Sequence, residues 1–439
     1  MFILFLVPSF ILILTLLPLW AVINPLILST LFSYTLILLL TSLSQDYLSL
    51  YGFACDSVRI SLSYVTFLVI FISYITSFLS PVKSYSYWLS ILLLFLSCFL
   101  VFSTTSILSL YIFYEASLLP IVYIILKWGT YPDRGSSALS ILLFTRLLTF
   151  PLGLFILCFI LKSRRLHIFF LSLFYFDRIP LALWIIFRFA VKLPVYGLHF
   201  WLPIAHVEAP TFGSTILAGV LLKIGSCGLL RLSYYVSPSL SFLRRGTLSY
   251  LLLTTVYRSL LCSIQSDFKR LVAYSSVVHI TIILLLFLSI SPLSYKTILL
   301  LRVFHGFSSP SLFMLVGAYY QMFMTRLILI LRGILLATPL LAFLAVLLFT
   351  LNVPVPPYPS FFAEVCIFLC VFHTTSLSLI FIFLLSLLVI VYSLFWFVST
   401  SFGSPSVHKP QEILSLSNSL SFFSYITPSL SFILILTLL

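Results

Sequence analysis

The stretch VKLPVYGLHFWLPIAHVEAP, residues 191–210, interrupts an apolar segment long enough to cross a membrane. Pro194 and Pro203 fall inside it, with Gly197 between them. Proline lacks the backbone donor that a helix interior requires, so we expect the helix to break here. Unwound backbone at membrane depth persists only where protein or a water-filled cavity satisfies its polar groups. The stretch therefore predicts a discontinuous transmembrane helix.

A second interruption lies in the other half of the chain, at NVPVPPYP, residues 352–359. Pro356 and Pro357 stand at its centre, and the apolar run that follows carries Glu364. Two broken spans, one in each half, are typical of transporters built from repeated halves. The alternative is that both segments are ordinary loops.

The composition places both stretches in a membrane protein. Of 439 residues, 62% are hydrophobic and only 7% are charged, with a mean hydropathy of +1.25. Soluble proteins carry roughly 25% charged residues, so a soluble enzyme, a disordered tail and a secreted disulfide scaffold are excluded. The net charge of +14 comes from scattered basic residues, not from dense runs. We therefore expect no nucleic-acid partner, and contacts between helix-end cations and anionic phospholipid heads.

Apolar runs separated by charged or turn-rich breaks predict an all-α polytopic membrane protein with about 14 transmembrane helices. The runs are continuous, whereas the strands of a membrane β-barrel alternate. Lysines and arginines are divided almost evenly between alternate loops, so they do not predict the orientation. The runs are 2–17, 22–43, 58–79, 86–104, 106–126, 137–161, 181–205, 212–232, 247–265, 271–290, 294–323, 331–372 (interrupted), 375–398 and 419–439.

A few ionisable residues fall inside these runs, where each costs ~2.5–3.5 kcal/mol on insertion scales and is a functional candidate by default. A lysine beside a movable carboxylate can change between its charged and neutral forms, which is what a proton-loading site requires. The alternative is a set of static pairs that hold helices together. The candidates are Glu115, Lys192, Lys223, His279, His305 and Glu364.

Four arginines also fall within the runs: Arg146, Arg188, Arg258 and Arg302. Arginine stays protonated at any working pH, so it biases its neighbours but carries protons poorly. Among the metal-capable residues, His199 and His206 lack further ligands, and Cys366 and Cys370 lie one turn apart in an apolar segment. No nucleotide-binding or metal-binding motif is present, so we expect no cofactor and no metal in this chain.

Six segments resemble the antiporter-like membrane subunits of proton-pumping NADH:quinone oxidoreductase, respiratory complex I. The stretch HFWLPIAHVEAP, residues 199–210, is more typical of one of these subunits than of its sister chains. The segments are YEASLLPIVYIILKWGTYPDR (114–134), FAVKLPVYGLHFWLPIAHVEAP (189–210), AGVLLKIGSCGLLR (218–231), QSDFKRLVAYSSVVHI (265–280), FHGFSSPSLF (304–313) and NVPVPPYPSFFAEV (352–365).

The resemblance implies 14 transmembrane helices, with two inverted five-helix repeats whose seventh and twelfth helices are broken. The chain would then divide into four parts: N-terminal helices at 1–85, a first repeat at 86–232, a second repeat at 247–398, and a C-terminal connector and helix at 399–439. The helix breaks would centre on Pro194, Pro203, Pro356 and Pro357.

The resemblance also implies a proton relay. Glu115 would pair with Lys192, Lys223 would continue a polar axis through His279 and His305, and Glu364 would be the terminal carboxylate. The relay would move protons across the inner mitochondrial membrane, driven by quinone reduction in other subunits. This chain itself would carry out no redox chemistry. Partners would be other membrane-arm subunits, including sister antiporter-like chains, and phospholipid such as cardiolipin.

The N-terminus shows no import leader, which fits a mitochondrially encoded chain. Several positions depart from the family pattern. Arg146, Arg188 and Arg302 stand where uncharged residues are usual, Ile204 where a charge is usual, and Ala363 where glycine is usual. Two alternatives remain open: a stand-alone cation/proton antiporter, and a non-pumping structural membrane subunit.

Overall fold

The structure is a computed structural model. The residues that it describes are 48–50, 53–55, 57–78, 85–104, 106–129, 131–163, 189–236, 244–289, 291–356, 358–372 and 376–403. The predicted runs 2–17, 22–43 and 419–439 lie outside these residues, as do Arg188 and Pro357.

The described residues are mostly helical. A hairpin of two three-residue strands, β1 and β2, pairs antiparallel with Leu48 opposite Cys55 and precedes the helices. The strands are Leu48–Leu50 (β1) and Phe53–Cys55 (β2). The helices are Ser57–Phe78 (α1), Tyr85–Ser103 (α2), Ile107–Ala116 (α3), Leu118–Trp128 (α4), Arg134–Ser163 (α5), Trp201–Glu208 (α6), Thr211–Ile216 (α7), Leu222–Val236 (α8), Arg244–Ile264 (α9), Phe268–Ser289 (α10), Pro292–Phe323 (α11), Ile334–Ala337 (α12), Pro339–Asn352 (α13), Pro359–Phe372 (α14) and Ser376–Ser401 (α15).

These bounds follow the apolar runs to within a few residues, which confirms a helical membrane protein. Within the described ranges, seven helical stretches are long and apolar enough to cross a membrane. The total of about 14 helices and the two inverted repeats stay predictions. The seven stretches are Ser86–Ser103, Ile107–Trp128, Thr211–Arg231, Gly246–Ile264, Phe268–Ser289, Leu293–Phe323 and Ser378–Ser401.

Local sequence sets where several helices begin. Ser106 and Ser291 have extended backbones, and their hydroxyls accept from the amides of Ser109 and Ser294, three residues on. A side-chain oxygen in this position satisfies an amide that the first helical turn leaves without a partner. Pro292 follows at the first position of α11, where a missing donor costs nothing.

The centre of the protein is formed by α10, α11 and the helical stretch 211–231, which are buried on almost every side. By contrast, only a third of the residues in the membrane-spanning window of α15 are buried. A helix that is apolar all round fits such a central position, whereas polar groups on it must find partners within the protein. Any charged residue on these central helices is therefore enclosed by neighbouring helices.

The first predicted break is present. The backbone leaves the helical conformation between Leu193 and Phe200, with Gly197 at a φ of 89°, and α6 begins at Trp201. Pro203 lies in the first turn of α6, where proline is tolerated, so it follows the break and does not cause it. Pro194 lies in the break itself.

The second predicted break is also present, between the end of α13 at Asn352 and the start of α14 at Pro359. Pro356 lies in this irregular segment. The described residues of both proline-rich segments are thus irregular, and their assignment as the two broken helices of repeated halves stays a prediction. A third irregularity was not predicted: a π-helical turn, Leu217–Leu221, joins α7 to α8.

Close packing around this π-turn depends on Gly219. A Cβ at this position would lie 2.7 Å from a methyl of Val69 and 2.8 Å from the ring of Pro310, on two different helices. We expect Gly219→Ala to lower stability by about 1–3 kcal/mol, the usual cost of overpacking. The matched control is Gly135→Ala, where a Cβ meets nothing within 4 Å. Thermal denaturation of the solubilised protein checks the pair, and equal midpoints would contradict the packing argument.

Candidate functional site

Lys192 lies just before the first break and is fully buried. Its ammonium donates to the backbone carbonyl of Tyr114 at 3.0 Å and lies 3.2 Å from the centre of the Tyr114 ring. Tyr114 precedes Glu115 in the last turn of α3, where helix carbonyls attract a cation. The structure thus brings Lys192 to the residue adjacent to its predicted partner, and Glu115 itself is half-buried.

Lys223 occupies the first turn of α8, directly after the π-turn, and is 2% exposed. Its ammonium donates to the carbonyl of Ala218 at 2.6 Å and lies 2.8 Å from Nδ1 of His305 on α11. In the π-turn, the amide of Leu222 bonds to Leu217, five residues back. π-turns often occur at functional sites, and this one presents a carbonyl to a buried ammonium.

His279 and His305 continue the site from α10 to α11. Their ring centres are 5.8 Å apart, and Nε2 of each ring has no hydrogen-bond partner within the described part of the chain. Neutral imidazole both donates and accepts a proton, one at each nitrogen. The two rings and Lys223 therefore form a group of titratable side chains between three central helices.

Glu364 lies on α14, close to the second break. It lines a cavity of about 20 Å³ together with Thr255, Ile282 and Leu285, among others. A cavity of this size has room for about one water molecule. Ile282, which lines the cavity, lies three residues after His279 on α10.

Four of the predicted residues lie close to one another in space. Lys192 packs against α8 at Gly225, where an added Cβ would lie 3.1 Å from the Lys192 Cβ. Gly225 is two residues from Lys223, which contacts His305, and His305 faces His279. That Glu115 and Glu364 belong to the same relay stays a prediction.

Sequence reasoning missed one buried cation, Lys269, and assigned no contact to another, Arg258. Lys269, in the first turn of α10, donates to the carbonyls of Val207 at 3.0 Å and Ala209 at 2.5 Å, at the end of α6. Arg258, on α9, donates to the carbonyl of Pro194 at 3.2 Å. Lys269 stands at the start of an apolar run, where a lysine resembles a surface residue. The adjacent basic residues Lys269 and Arg270 in QSDFKR are the sequence feature that could have drawn attention to Lys269.

The other histidines and arginines that the sequence analysis singled out differ in how deeply they are buried. His206 is fully buried and stacks on Phe313, with ring centres 4.4 Å apart, and His199 is also buried. Arg146 is exposed on α5, whereas Arg302 is fully buried on α11. No group of three His, Cys, Asp or Glu side chains suited to a metal occurs among the described residues.

Two interrupted helices that flank a buried line of lysines and histidines are the features of an antiporter-like membrane protein. Comparison with known proteins agrees. The family described as NADH:quinone oxidoreductase/Mrp antiporter, transmembrane, matches residues 104–389. The chain belongs to this family, and its similar relatives carry the name NADH-ubiquinone oxidoreductase chain 4.

The relative from Albinaria caerulea is 32% identical over 335 residues, which cover 76% of this chain and 77% of the relative. The relative from Artemia franciscana is 36% identical over 325 residues, which cover 72% and 81%. Among solved structures, a chain of respiratory complex I from Thermus thermophilus with bound NADH has a TM-score of 0.77 at 23% identity and covers 93% of this chain and 94% of that one. A chain of an archaeal membrane-bound sulfane sulfur reductase has a TM-score of 0.79 at 18% identity, with coverage of 92% and 70%. The two structures show that the fold is shared.

Lys269 provides a test of which contacts stabilise the end of α6. We expect Lys269→Met to lower stability by about 1–3 kcal/mol, because two buried carbonyls lose their donor. Lys269→Arg keeps a donor and should recover part of the loss. The matched control is Arg270→Met at the exposed neighbouring position. Thermal denaturation of the solubilised protein measures all three, and a Lys269→Met midpoint equal to that of Arg270→Met would contradict the assignment.

Proposed function

We propose that this chain is a proton-translocating membrane-arm subunit of respiratory complex I, NADH:ubiquinone oxidoreductase, in the inner mitochondrial membrane. The observation that supports this most directly is the contact of 2.8 Å between the Lys223 ammonium and Nδ1 of His305, enclosed by central helices. An ammonium and an imidazole at hydrogen-bond distance can exchange a proton with little movement. The names of the relatives supply the complex in which such a step would be used.

In this proposal Lys192 and Lys223 load protons. The loaded state of Lys192 is stabilised by the carbonyl end of α3, which ends one residue after Glu115. A change in the charge of Glu115 alters how strongly that end of α3 holds the ammonium. Transfer of the proton from Lys192 to Lys223, which follow each other across the packing contact at Gly225, requires bridging water in this proposal.

From Lys223 the proton passes to His305, which is in direct contact, and then to His279. The ring centres of the histidines are 5.8 Å apart, so this step needs a bridging water or a ring rotation. The cavity at Glu364, one turn farther along α10, offers a water site next to a carboxylate. Glu364 is the terminal acceptor in this scheme.

Redox chemistry belongs to other subunits in this proposal, and this chain converts their reaction into proton movement. Its partners are other membrane-arm subunits, including sister antiporter-like chains, together with phospholipid such as cardiolipin. The stand-alone antiporter predicts cation-dependent proton exchange by the purified chain alone. The structural-subunit alternative predicts that relay variants impair assembly but not the pumping of what assembles.

Lys192 tests the loading step. We expect Lys192→Met to remove most of the protons pumped per NADH oxidised, because methionine keeps the volume but cannot bind a proton. The control is Lys127→Met, which alters an exposed lysine at the end of α4. The measurement uses the purified, assembled complex in liposomes with a pH-sensitive dye. Normal pumping by an assembled Lys192→Met complex would refute the loading role.

Glu364 tests the terminal step. Glu364→Gln preserves the shape of the side chain but removes its titration, so we expect a loss of pumping while assembly is retained. Asp133→Asn removes an exposed carboxylate outside the membrane spans and serves as the control. The same liposome assay, run beside native electrophoresis of the solubilised complex, separates pumping from assembly. Full pumping with Gln at position 364 would remove Glu364 from the relay.

A further inference from the structure

Arg302 is fully buried on α11, one helical turn before His305. Its Nη2 atom donates to the backbone carbonyl of Lys223 at 3.3 Å. His305, on the next turn, contacts the ammonium of the same lysine at 2.8 Å. Two residues of α11 therefore contact Lys223, one at its backbone and one at its titrating group.

Arg302 carries a positive charge that is not paired with a carboxylate among the residues that the structure describes. None of the carboxylates that the structure describes forms an ion pair with it, and its Nε and Nη1 atoms have no hydrogen-bond partner among the described residues. The guanidinium does not release its proton in proteins. Arg302 is thus a permanent cation beside Lys223, and a residue that cannot relay protons.

A second arginine extends this charge toward one end of the helices. Lys223, Cys227 and Arg231 follow each other at four-residue spacing on α8, so they share one face. Cys227 interacts with Arg302, and Arg231 donates to the carbonyls of Phe102 and Thr104 at the end of α2. The route from Lys223 toward the ends of α2 and α8 therefore passes two arginines.

The opposite direction along α11 carries histidines instead. His305 follows Arg302, and His206 stacks on Phe313, which is about 16 Å farther along the helix axis than Arg302. Histidine can bind and release a proton near neutral pH. Lys223 thus has permanent cations on one side and titratable rings on the other.

We propose that Arg302 and Arg231 form an electrostatic barrier that closes the route between Lys223 and the membrane face at which α2 and α8 end. Fixed positive charge in a narrow path excludes protons, as an arginine or a helix dipole does in selective channels. Lys223 then exchanges protons only through the histidine side. The inference rests on the proposed function, because it assigns a direction to a proton carried by Lys223.

The experiment measures passive proton flux through the assembled complex in liposomes without NADH, under a potassium diffusion potential. We expect Arg302→Met to raise this flux on the order of threefold or more over the unaltered complex, since the barrier charge is lost. Arg302→Lys keeps the positive charge, so we expect its passive proton flux to equal that of the unaltered complex. Arg146→Met removes an exposed arginine and should also stay tight.

A complex with Arg302→Met that assembles and stays as tight as the unaltered complex would overturn the barrier. Where Arg302→Met does not assemble, Arg302→Gln answers the same question, because it keeps a donor for the Lys223 carbonyl without the charge. The double variant Arg302→Met with Lys223→Met tests the route. Loss of the leak in the double variant supports passage by way of Lys223, and persistence of the leak contradicts it.

Failure of the barrier and failure of the proposed function give different results. If Lys192→Met pumps normally, the relay is wrong whatever the passive flux of the arginine variants. Lys192→Met could instead abolish pumping while Arg302→Met shows the passive proton flux and the pumping of the unaltered complex. That result would support the proposed relay and refute the arginine barrier.

Discussion

A cation buried among membrane helices needs oxygen atoms that accept hydrogen bonds from it. In this protein these are mainly backbone carbonyls that are not already bonded within a regular helix. Carbonyls inside a regular helix already accept from the amide four residues on, so helix ends, breaks and the π-turn are the available sources. Five cations contact carbonyls at such places, whereas Arg302 donates to the carbonyl of Lys223 within α8. The pairs are Lys192 with Tyr114, Lys223 with Ala218, Arg258 with Pro194, Lys269 with Val207 and Ala209, and Arg231 with Phe102 and Thr104.

This constraint explains why the irregular helices and the titratable residues occur together. A carbonyl dipole stabilises an ammonium less strongly than a carboxylate at the same distance does, because the charge on the carbonyl oxygen is only partial. The contact of Lys223 with the carbonyl of Ala218 therefore stabilises its ammonium less strongly than an ion pair would. The ion pair between Arg326 and Asp267, 3.9 Å apart, lies in the segments next to the end of α11 and the start of α10, away from Lys223 and its histidines.

The sequence was a good guide to the fold for a simple physical reason. Bilayer thickness sets the length of an apolar run, and proline removes a backbone donor wherever it stands. The long apolar helices and both irregular segments therefore follow from local composition. The sequence predicted the contacts of the functional site less completely than the fold. Lys269 lies at the edge of an apolar run and Arg258 within one. Their sequence positions do not indicate that Lys269 binds the end of α6 or that Arg258 binds the first break. The π-turn before Lys223 has no proline and no other local signal.

The sequence alone predicted the class of protein, the two interrupted helices and the few ionisable residues within apolar runs. Those depend on solvation, which acts on each residue according to its own polarity. Only the tertiary structure decided which carbonyl each cation meets, that Lys223 contacts His305, and that Arg302 lies on the other side of that lysine. Such contacts join helices far apart in the chain, and their geometry depends on how glycine-lined helices pack against one another, which no local pattern encodes.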